Sequence, residues 1–563
     1  MASDMKAVSG EHPASSNSVN GEAKKDWHTR AAEKRAANLA KIPAEWRLPE
    51  ATLKGIHEES NVSVLDLPRS SGLLTEEELH ITEDFDATGL FEQLSTGALT
   101  AQAVASAFCK RAAIAHQAVN CLTETFFDQA LARAKLLDEF WAREGKPLGP
   151  LHGIPISLKD SFVVKDVHHT CGYISFLDRP PATENSPLVQ TLLDLGAVLY
   201  VKTNIPQTFM TADSQNNIFG RTLNPRNPRL TAGGSSGGEG ALLALRGSPL
   251  GVGTDVAGSI RIPALCNGLW GLKPTANRVP FGGNAAPGRL GSPSPIAPLA
   301  GPLARSARDC ALLVRAVVDA DPWRVDDTAL AVPWRALPGR ETKLRLGVVT
   351  EDPANPLHPP ALRALRSAVA RLEAAGHEVV ALGAGAVPPL GEVSALAWRF
   401  FGLDPAKTVL RFIKEGGEPL IKSLATVRVK ENEGWTPSLD GLFDMVVERK
   451  KVIKAFHDVV VRERLDAVVL TTYVATAVPH DTYGFTGHTV LANLLDWPAV
   501  VLPYGVAAKR EDEAFVRDVD YVPPYTPDEV EGMPCSIQVM GRPLRDEELM
   551  RDVEIIEKVL RAP

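Results

Sequence analysis

The sequence predicts an α/β fold in which one large domain holds a central, mixed, mostly parallel β-sheet covered by helices. Short apolar runs typical of buried strands, such as AVLYV at 197–201 and DAVVL at 466–470, alternate with longer helical segments at both ends of the chain. A strand–helix–strand order favours parallel pairing and a layered core. No internal repeat and no obvious linker divides the chain between Pro147 and Pro563.

The first part of the chain is predicted to be helical after a disordered start. Residues 1–24 are rich in Ser, Asn, Gly and Glu, which is typical of disorder. A helical region should follow over 25–145, with helices at 26–41, 100–115 and 126–141 and a loop at 45–75. Thr75 and Glu78 have the spacing of a capping box and predict a helix start.

The remaining elements alternate between strand and helix. Strands are predicted at 154–158, 197–201, 250–253, 344–349, 377–382, 466–470, 499–502 and 538–540. Helices are predicted at 186–196, 239–245, 308–318, 360–375, 398–424, 442–464, 489–495 and 546–560. A Gly- and Pro-rich segment at 281–302 predicts a loop, and residues from about 333 to 460 predict a helical subregion beside the sheet.

Composition excludes several classes of protein. The chain is 44% hydrophobic and 23% charged, as in ordinary globular proteins. A net charge of −8 and the lack of a basic stripe with aromatics argue against nucleic acid as a partner. No apolar run is long enough to span a membrane. The six cysteines have no metal-site spacing, and the start lacks a secretory signal, so we expect reduced thiols and a cytoplasmic location.

One Gly- and Ser-rich stretch, from Thr231 to Pro263 (TAGGSSGGEGALLALRGSPLGVGTDVAGSIRIP), holds two serine sites, Ser235/Ser236 and Ser259. Glycine costs about 0.5–1 kcal/mol relative to alanine inside a helix or strand. The stretch therefore suits sharp turns whose N–H groups face a ligand. A flexible linker is the alternative, but apolar and charged residues interrupt the glycines and the stretch lies mid-chain.

A catalytic serine needs a base, because its hydroxyl is a weak nucleophile. The stretch contains no histidine and no GxSxG motif, and the nearest upstream histidines, His152, His168 and His169, are expected in loops or at a strand edge. A buried lysine can serve instead, because burial lowers the lysine pKa. Lys159 follows the apolar run IPISL and is the candidate. A salt bridge between Lys159 and Asp160 is the alternative interpretation.

Seven segments together resemble the amidase signature family of serine hydrolases, and most closely its fungal acetamidase-type members. The pair GGSSGG and GTDxxGSIR is highly specific, and the matches run in order from about residue 30 to the C-terminus. The resemblance implies the amidase signature fold, with a domain at 146–563 and a catalytic core at 149–310. The segments are GPLHGIPISLKD at 149–160, GAVLYVKTNIPQ at 196–207, NNIFGRTLNPRNP at 216–228, GGSSGGEGAL at 233–242, GVGTDVAGSIRIPA at 251–264, NLLDWPAVVLP at 493–503 and GMPCSIQVMGRPL at 532–544.

The resemblance also implies the catalytic roles. Ser259 would be the acyl-forming nucleophile, Ser235 would bridge it to the base, and Lys159 would be that base. The peptide bond before the bridging serine is cis in the family, here Gly234–Ser235. Backbone N–H groups would form the oxyanion hole, and they belong to Val256, Ala257, Gly258 and Ser259. Ala257 stands where many relatives have glycine, but only its backbone donor is needed.

Other residues are expected to support the site or line the substrate pocket. Ser236, Thr254, Asp255 and Arg261 should act as hydrogen-bonding framework groups around the serines. By analogy, Phe209 and Met210 should line the acyl pocket, and 171–173, the loop at 473–488 and the helices at 398–460 could face it too. Ordinary core packing is the alternative for each of these. Cys266 is expected to be a packed small residue.

The implied activity is an amidase of acetamidase type, which would hydrolyse a linear carboxamide to a carboxylate and ammonia or an amine. Its partner would be a small-molecule amide, with no metal and no organic cofactor, and the family makes a homodimer possible. An esterase or an acyl-transferring biosynthetic enzyme with the same triad is the alternative. A subunit that takes ammonia from glutamine, a nucleotide-binding module and an inactive scaffold are further alternatives. No lysine follows the glycines as phosphate binding would require.

Overall fold

The computed structural model describes residues 25–340, 343–383, 385–425 and 432–562. The tail predicted to be disordered, 1–24, lies outside the described residues. The strands are β1 (Leu122–Thr125), β2 (Pro155–Lys159), β3 (Val198–Thr203), β4 (Gln215–Asn216), β5 (Gly220–Arg221), β6 (Leu250–Asp255), β7 (Trp270–Lys273), β8 (Leu299–Ala304), β9 (Arg345–Val349), β10 (Glu378–Leu382), β11 (Ala467–Thr471), β12 (Ala499–Val506) and β13 (Pro534–Met540).

The described residues also form 19 α-helices. They are α1 (Trp27–Ala40), α2 (Glu50–Leu53), α3 (Leu67–Ser70), α4 (Glu76–Glu83), α5 (Ala87–Thr96), α6 (Ala101–Val119), α7 (Phe127–Glu144), α8 (Pro187–Asp194), α9 (Gly237–Ala244), α10 (Arg261–Asn267), α11 (Ala307–Asp319), α12 (Pro359–Ala374), α13 (Leu390–Phe401), α14 (Thr408–Gly416), α15 (Leu439–Arg462), α16 (Gly487–Leu495), α17 (Lys509–Asp512), α18 (Pro527–Val530) and α19 (Asp546–Arg561). Among the helices of the described ranges, none has both the length and the apolar character needed to cross a bilayer.

The central sheet is mixed, and the predicted α/β fold is confirmed. Within the described residues it has 11 strands in the order β1-β3-β2-β6-β8-β7-β12-β13-β11-β9-β10. Parallel pairing joins β2 to β3 and β6, and β9 to β10 and β11. The predicted parallel character holds in these two groups of three strands, and the strands between them pair antiparallel.

Burial explains why most strands read as continuous apolar runs. Every residue of β2, β3, β6, β11 and β13 is buried. Strands covered on both faces lack the polar–apolar alternation of a half-exposed sheet. Polar residues inside such strands, including Lys159 in β2 and Asp255 in β6, therefore need partners within the protein.

Most predicted elements are present, and the differences concern short elements and the bounds of three segments. The short strands β1, β4, β5 and β7 were not predicted. The predicted loop 281–302 ends inside β8, whose Gly and Pro residues concealed it. The predicted loop 45–75 contains the one-turn helices α2 and α3. The predicted helix 398–424 is divided between the end of α13 and α14.

The sheet brings the two motif-bearing strands side by side. β2 pairs in parallel with β6, with Ile156 opposite Leu250 and Leu158 opposite Val252. Their carboxyl ends, Lys159 and Asp255, therefore lie at the same edge of the sheet. Ligand sites of open α/β sheets commonly form at this edge.

Candidate active site

Lys159 is the last residue of β2, and its side chain is fully buried. Its Nζ donates to Ser235 Oγ at 2.6 Å and to Thr254 Oγ1 at 2.7 Å. Asp160 instead accepts hydrogen bonds from the backbone N–H groups of Thr170 and Cys171, at 2.9 and 2.8 Å. The geometry therefore favours Lys159 as a partner of the serine turn over the alternative salt bridge with Asp160.

Burial changes the charge state of Lys159. Removal of its ammonium from water lowers its pKa from 10.5 to about 7, although the negative charges of Asp255, Glu239 and Asp160 oppose this shift. A substantial fraction of Lys159 is therefore neutral at neutral pH and can accept a proton.

Ser235 and Ser236 form the turn that precedes α9. The peptide bond between Gly234 and Ser235 is cis, in agreement with the resemblance. Gly234 is needed here because a Cβ would lie 2.5 Å from the carbonyl oxygen of Thr211. Ser236 Oγ lies 3.4 Å from both the N–H and the carbonyl oxygen of Thr254, so it ties this turn to β6.

Ser259 lies in a second turn, between β6 and α10. Asp255 shapes this turn by accepting hydrogen bonds from the N–H groups of Gly258 at 2.9 Å and Ile260 at 3.1 Å. Gly258 has a φ of +125°, and a Cβ there would lie 2.4 Å from Thr489 Oγ1. Both the backbone conformation and the space thus require glycine immediately before Ser259.

Arg261 anchors the same turn to the rest of the sheet. Its guanidinium donates to Asp255 at 2.9 and 3.1 Å, to Gln538 Oε1 at 2.6 Å and to Asn493 Oδ1 at 2.7 Å. Burial by itself would raise the pKa of Asp255, but the charge and hydrogen bonds of Arg261 and the amide of Asn493 lower it to about 2. Asp255 is therefore ionised throughout the physiological range and holds the turn in place.

The two serine turns touch through the backbone. The N–H of Ser236 donates to the carbonyl oxygen of Ser259 at 3.2 Å. Among the described residues, no hydrogen bond joins Ser235 Oγ to Ser259 Oγ. The structure thus brings Lys159 and Ser235 into direct contact and sets Ser259 in the adjoining turn.

The predicted oxyanion-hole amides differ in their partners. The N–H of Gly258 donates to Asp255 and is engaged within the protein. For the part of the chain that the structure describes, no hydrogen bond engages the N–H groups of Val256, Ala257 and Ser259. These three donors remain for a ligand.

Glu239 was not predicted from the sequence to belong to this site. This carboxyl is fully buried in the first turn of α9 and accepts from Ser157 Oγ at 2.5 Å and Thr203 Oγ1 at 2.8 Å. Burial raises its pKa from 4.5 to about 8, although both hydroxyls and Lys159 lower it in part. In the sequence, Glu239 is a single acidic residue within an otherwise small and apolar helix, and this pattern indicates a buried carboxyl. Its hydroxyl partners could not be predicted, because Ser157 and Thr203 lie on β2 and β3, far away in sequence.

The aromatic ring of Phe209 lies beside Lys159. Its Nζ is 4.9 Å from the centroid of the Phe209 ring. Phe209 packs against a cluster that includes Tyr173 and Phe176, together with Phe412 and Ile413 of α14. The structure therefore brings Phe209, the segment 171–173 and part of the helical subregion together. Met210 is half-buried beside Phe209.

The alternative bases and nucleophiles lie elsewhere. Nδ1 of His152 accepts from the N–H of Leu148 at 3.0 Å. Within the described ranges, none of His152, His168 and His169 hydrogen-bonds to Ser235 or Ser259. Cys266 is buried in α10, and burial raises the pKa of its thiol well above the usual range. Among the residues that the structure describes, no group of three or more His, Cys, Asp or Glu side chains is arranged to hold a metal ion.

Comparisons with known proteins show the family to which the chain belongs. Residues 103–550 fit the family model described as Amidase. An amidase from Gibberella moniliformis (strain M3125 / FGSC 7600) is 40% identical over 539 residues, 95% of this chain and 99% of the relative. The chain belongs to the amidase family. An acetamidase from Emericella nidulans is 37% identical over 555 residues, covering 95% of this chain and 98% of the relative.

A solved structure supports the same assignment. A fatty acid amide hydrolase superposes with a TM-score of 0.88 at 31% identity, and the alignment covers 96% of each chain. This member of the amidase family has the amidase signature fold and is an amide hydrolase. The cis peptide bond, the buried Lys159 and the two serine turns lie together in this fold.

Proposed function

We propose that this amidase-family chain hydrolyses a linear carboxamide through an acyl-enzyme on Ser259, with Ser235 and Lys159 as a proton relay. The observation that carries the proposal is the 2.6 Å hydrogen bond between Lys159 Nζ and Ser235 Oγ in a fully buried setting. A buried amine with a pKa of about 7 can act as a general base near neutral pH.

Acylation begins with two proton transfers. Neutral Lys159 takes the proton of Ser235, and Ser235 takes the proton of Ser259 as Ser259 Oγ attacks the amide carbonyl carbon. This transfer requires a hydrogen bond between the Ser235 and Ser259 hydroxyls, which forms when substrate binds and before the proton moves, since catalytic contacts often tighten only in the complex. The C–N bond breaks, and the leaving nitrogen receives a proton from Lys159 through Ser235. Water attacks the acyl-enzyme through the same relay and releases the carboxylate.

Backbone amides stabilise the negative charge that develops on the carbonyl oxygen. We assign this role to the N–H groups of Val256, Ala257 and Ser259, because that of Gly258 is engaged by Asp255. Removal of one such donor typically costs about 2.7–4 kcal/mol of transition-state stabilisation. Asp255 and Arg261 contribute by fixing the turn that carries these donors.

The acyl group of the substrate should be apolar. Phe209 lies next to Lys159, and it packs against the cluster of Tyr173, Phe176, Phe412 and Ile413. One relative is named an acetamidase and one structural neighbour a fatty acid amide hydrolase, so the acyl groups of named relatives differ greatly in length. We assign the chain to the acetamidase type, in agreement with its likeness to fungal acetamidases over nearly its full length.

We also place the protein in the cytoplasm. The six cysteines of the chain are buried and unpaired, which suits that reducing compartment.

The test is turnover of matched amide and ester substrates. Acetamide, hexanamide and a long-chain primary amide are compared with their ethyl esters, with and without an added amine acceptor. We expect ammonia release from at least one primary amide. When the amine acceptor is present, we expect hydrolysis rather than acyl transfer to be the main reaction. Turnover of esters alone, or acyl transfer that exceeds hydrolysis, would favour the esterase or acyl-transfer alternative.

A further inference from the structure

A cavity lies at the other ends of the two helices that follow the catalytic turns. It has a volume of about 390 Å³. Leu243 and Ala244 at the end of α9, and Asn267 at the end of α10, line it. These helices have eight and seven residues, so the cavity lies about 10–12 Å along them from their first turns at 1.5 Å per residue. Lys159, Ser235 and Ser259 are not part of its lining.

Arginines dominate the polar lining of this cavity. Five arginines and two carboxylates line it, and they are Arg69, Arg111, Arg226, Arg246, Arg305, Asp66 and Glu83. Glu83 is already shared, because it pairs with Arg69 at 2.5 Å and with Arg111 at 2.9 Å. Arg246 donates to the carbonyl oxygen of Glu83. The cavity therefore carries an excess of positive charge that its own carboxylates do not neutralise.

Two of these arginines differ from the others in the partners of their guanidinium groups. Among the described residues, no hydrogen bond or ion pair involves the side chain of Arg226 or Arg305, and Arg226 Nε is buried without a partner. Burial and the like charges of Arg246 and Arg111 lower the pKa of Arg305 to about 10, so it stays charged at neutral pH. Partly buried cations without partners are costly, and an anion in the cavity would offset this cost.

We propose that this cavity is a binding site for a small multivalent oxyanion, of carboxylate or phosphate type, held by Arg226, Arg246 and Arg305. The planar guanidinium group presents paired N–H donors that match the oxygens of carboxylates and phosphates. The volume falls within the usual range for small-molecule sites. The proposal goes beyond amide hydrolysis, because the cavity shares no residue with the catalytic turns.

Anion binding is measured directly on the full chain by isothermal titration calorimetry. Citrate and inorganic phosphate are the two probes, and sodium chloride at equal ionic strength corrects for general screening. We expect saturable binding of one anion per chain. Tighter binding of citrate would indicate a carboxylate ligand, and tighter binding of phosphate would indicate a phosphate-bearing ligand.

Substitutions locate the bound anion. Arg305→Gln and Arg226→Gln should each weaken binding about tenfold or more, since each removes charged hydrogen bonds. Arg324→Gln, at an exposed arginine paired with Asp321, should bind as the wild type does. If a glutamine variant does not fold, Arg305→Lys keeps the charge, and loss of the paired donors should still weaken binding.

Two results would overturn the proposal. One is the absence of saturable citrate and phosphate binding by the folded wild type. The other is equal affinity of the wild type and the folded Arg226 and Arg305 variants. Because calorimetry detects binding without turnover, a failure here leaves the amide-hydrolysis proposal untouched, and a failure to hydrolyse amides leaves the anion site untouched.

Discussion

Lys159 is completely buried and has two hydroxyl partners, and its burial lowers its pKa to about 7. Only the neutral amine can accept the proton of Ser235, so kcat/KM for an amide should rise as pH increases through about 7 and level off above about 8. The check is a pH–rate profile from about pH 5.5 to 9. Lys159→Ala should lower kcat by about 10²–10⁴-fold and remove the dependence. A flat wild-type profile, with chemistry rate-limiting, would contradict this role.

Glu239 shows the opposite shift, because a buried carboxyl resists ionisation. Its pKa is about 8 in the folded protein and 4.5 ordinarily. At pH values between these two, the folded state therefore binds more protons than the unfolded state does. Stability should therefore fall as pH rises through this window. Glu239→Gln keeps the shape but cannot ionise, so it should gain stability relative to the wild type from pH 5 to 8 in urea unfolding. A stability difference that does not change with pH would contradict the prediction.

At the residue scale, the catalytic candidates could be found from sequence, but their partners could not. Lys159, Ser235 and Ser259 lie in specific motifs, and the resemblance names their roles. The contact of Thr254 with Lys159 and the engagement of Gly258 by Asp255 depend on how two turns meet. Glu239 was missed because nothing near it in sequence reveals that Ser157 and Thr203 will enclose it.

At the scale of elements, the turn between β6 and α10 depends on one buried ion pair. Asp255→Ala would remove the acceptor of two backbone N–H groups and leave Arg261 charged and unpaired in the interior. We expect a loss of about 3–5 kcal/mol in the free energy of unfolding, measured by urea denaturation. Asp319→Ala breaks an exposed pair with Arg315 and should cost less than about 1 kcal/mol. Equal losses in both variants would contradict the anchoring role of Asp255.

Long elements with a clear pattern were predictable, and short ones were not. Helix α6 and strand β3 follow from periodicity and apolar character, and the capping box of Thr75 and Glu78 is present. Strand β8 was missed because Gly and Pro interrupt it, and it pairs antiparallel with the short strand β7, also missed, at positions distant in sequence. Propensity could not reveal them, since burial against other strands stabilises them.

At the scale of the whole molecule, the candidate active site depends on the parallel pairing of β2 with β6. The strand–helix alternation predicts such pairing but not the neighbours, so the meeting of Lys159 with the two serine turns came from the family resemblance. Chain order likewise gives no sign that α9 and α10 connect this region to an arginine-lined cavity. These features can be recognised only once the order of the strands in the sheet is known.

The most direct measurement is the intact mass of the protein after reaction with a fluorophosphonate probe. The wild type should gain one adduct, and Ser259→Ala should gain none. Cys266→Ala, at a buried thiol of α10, should react as the wild type does and serves as the matched control. An adduct on folded Ser259→Ala, or none on a wild type that hydrolyses amides, would contradict Ser259 as the nucleophile on which this account rests.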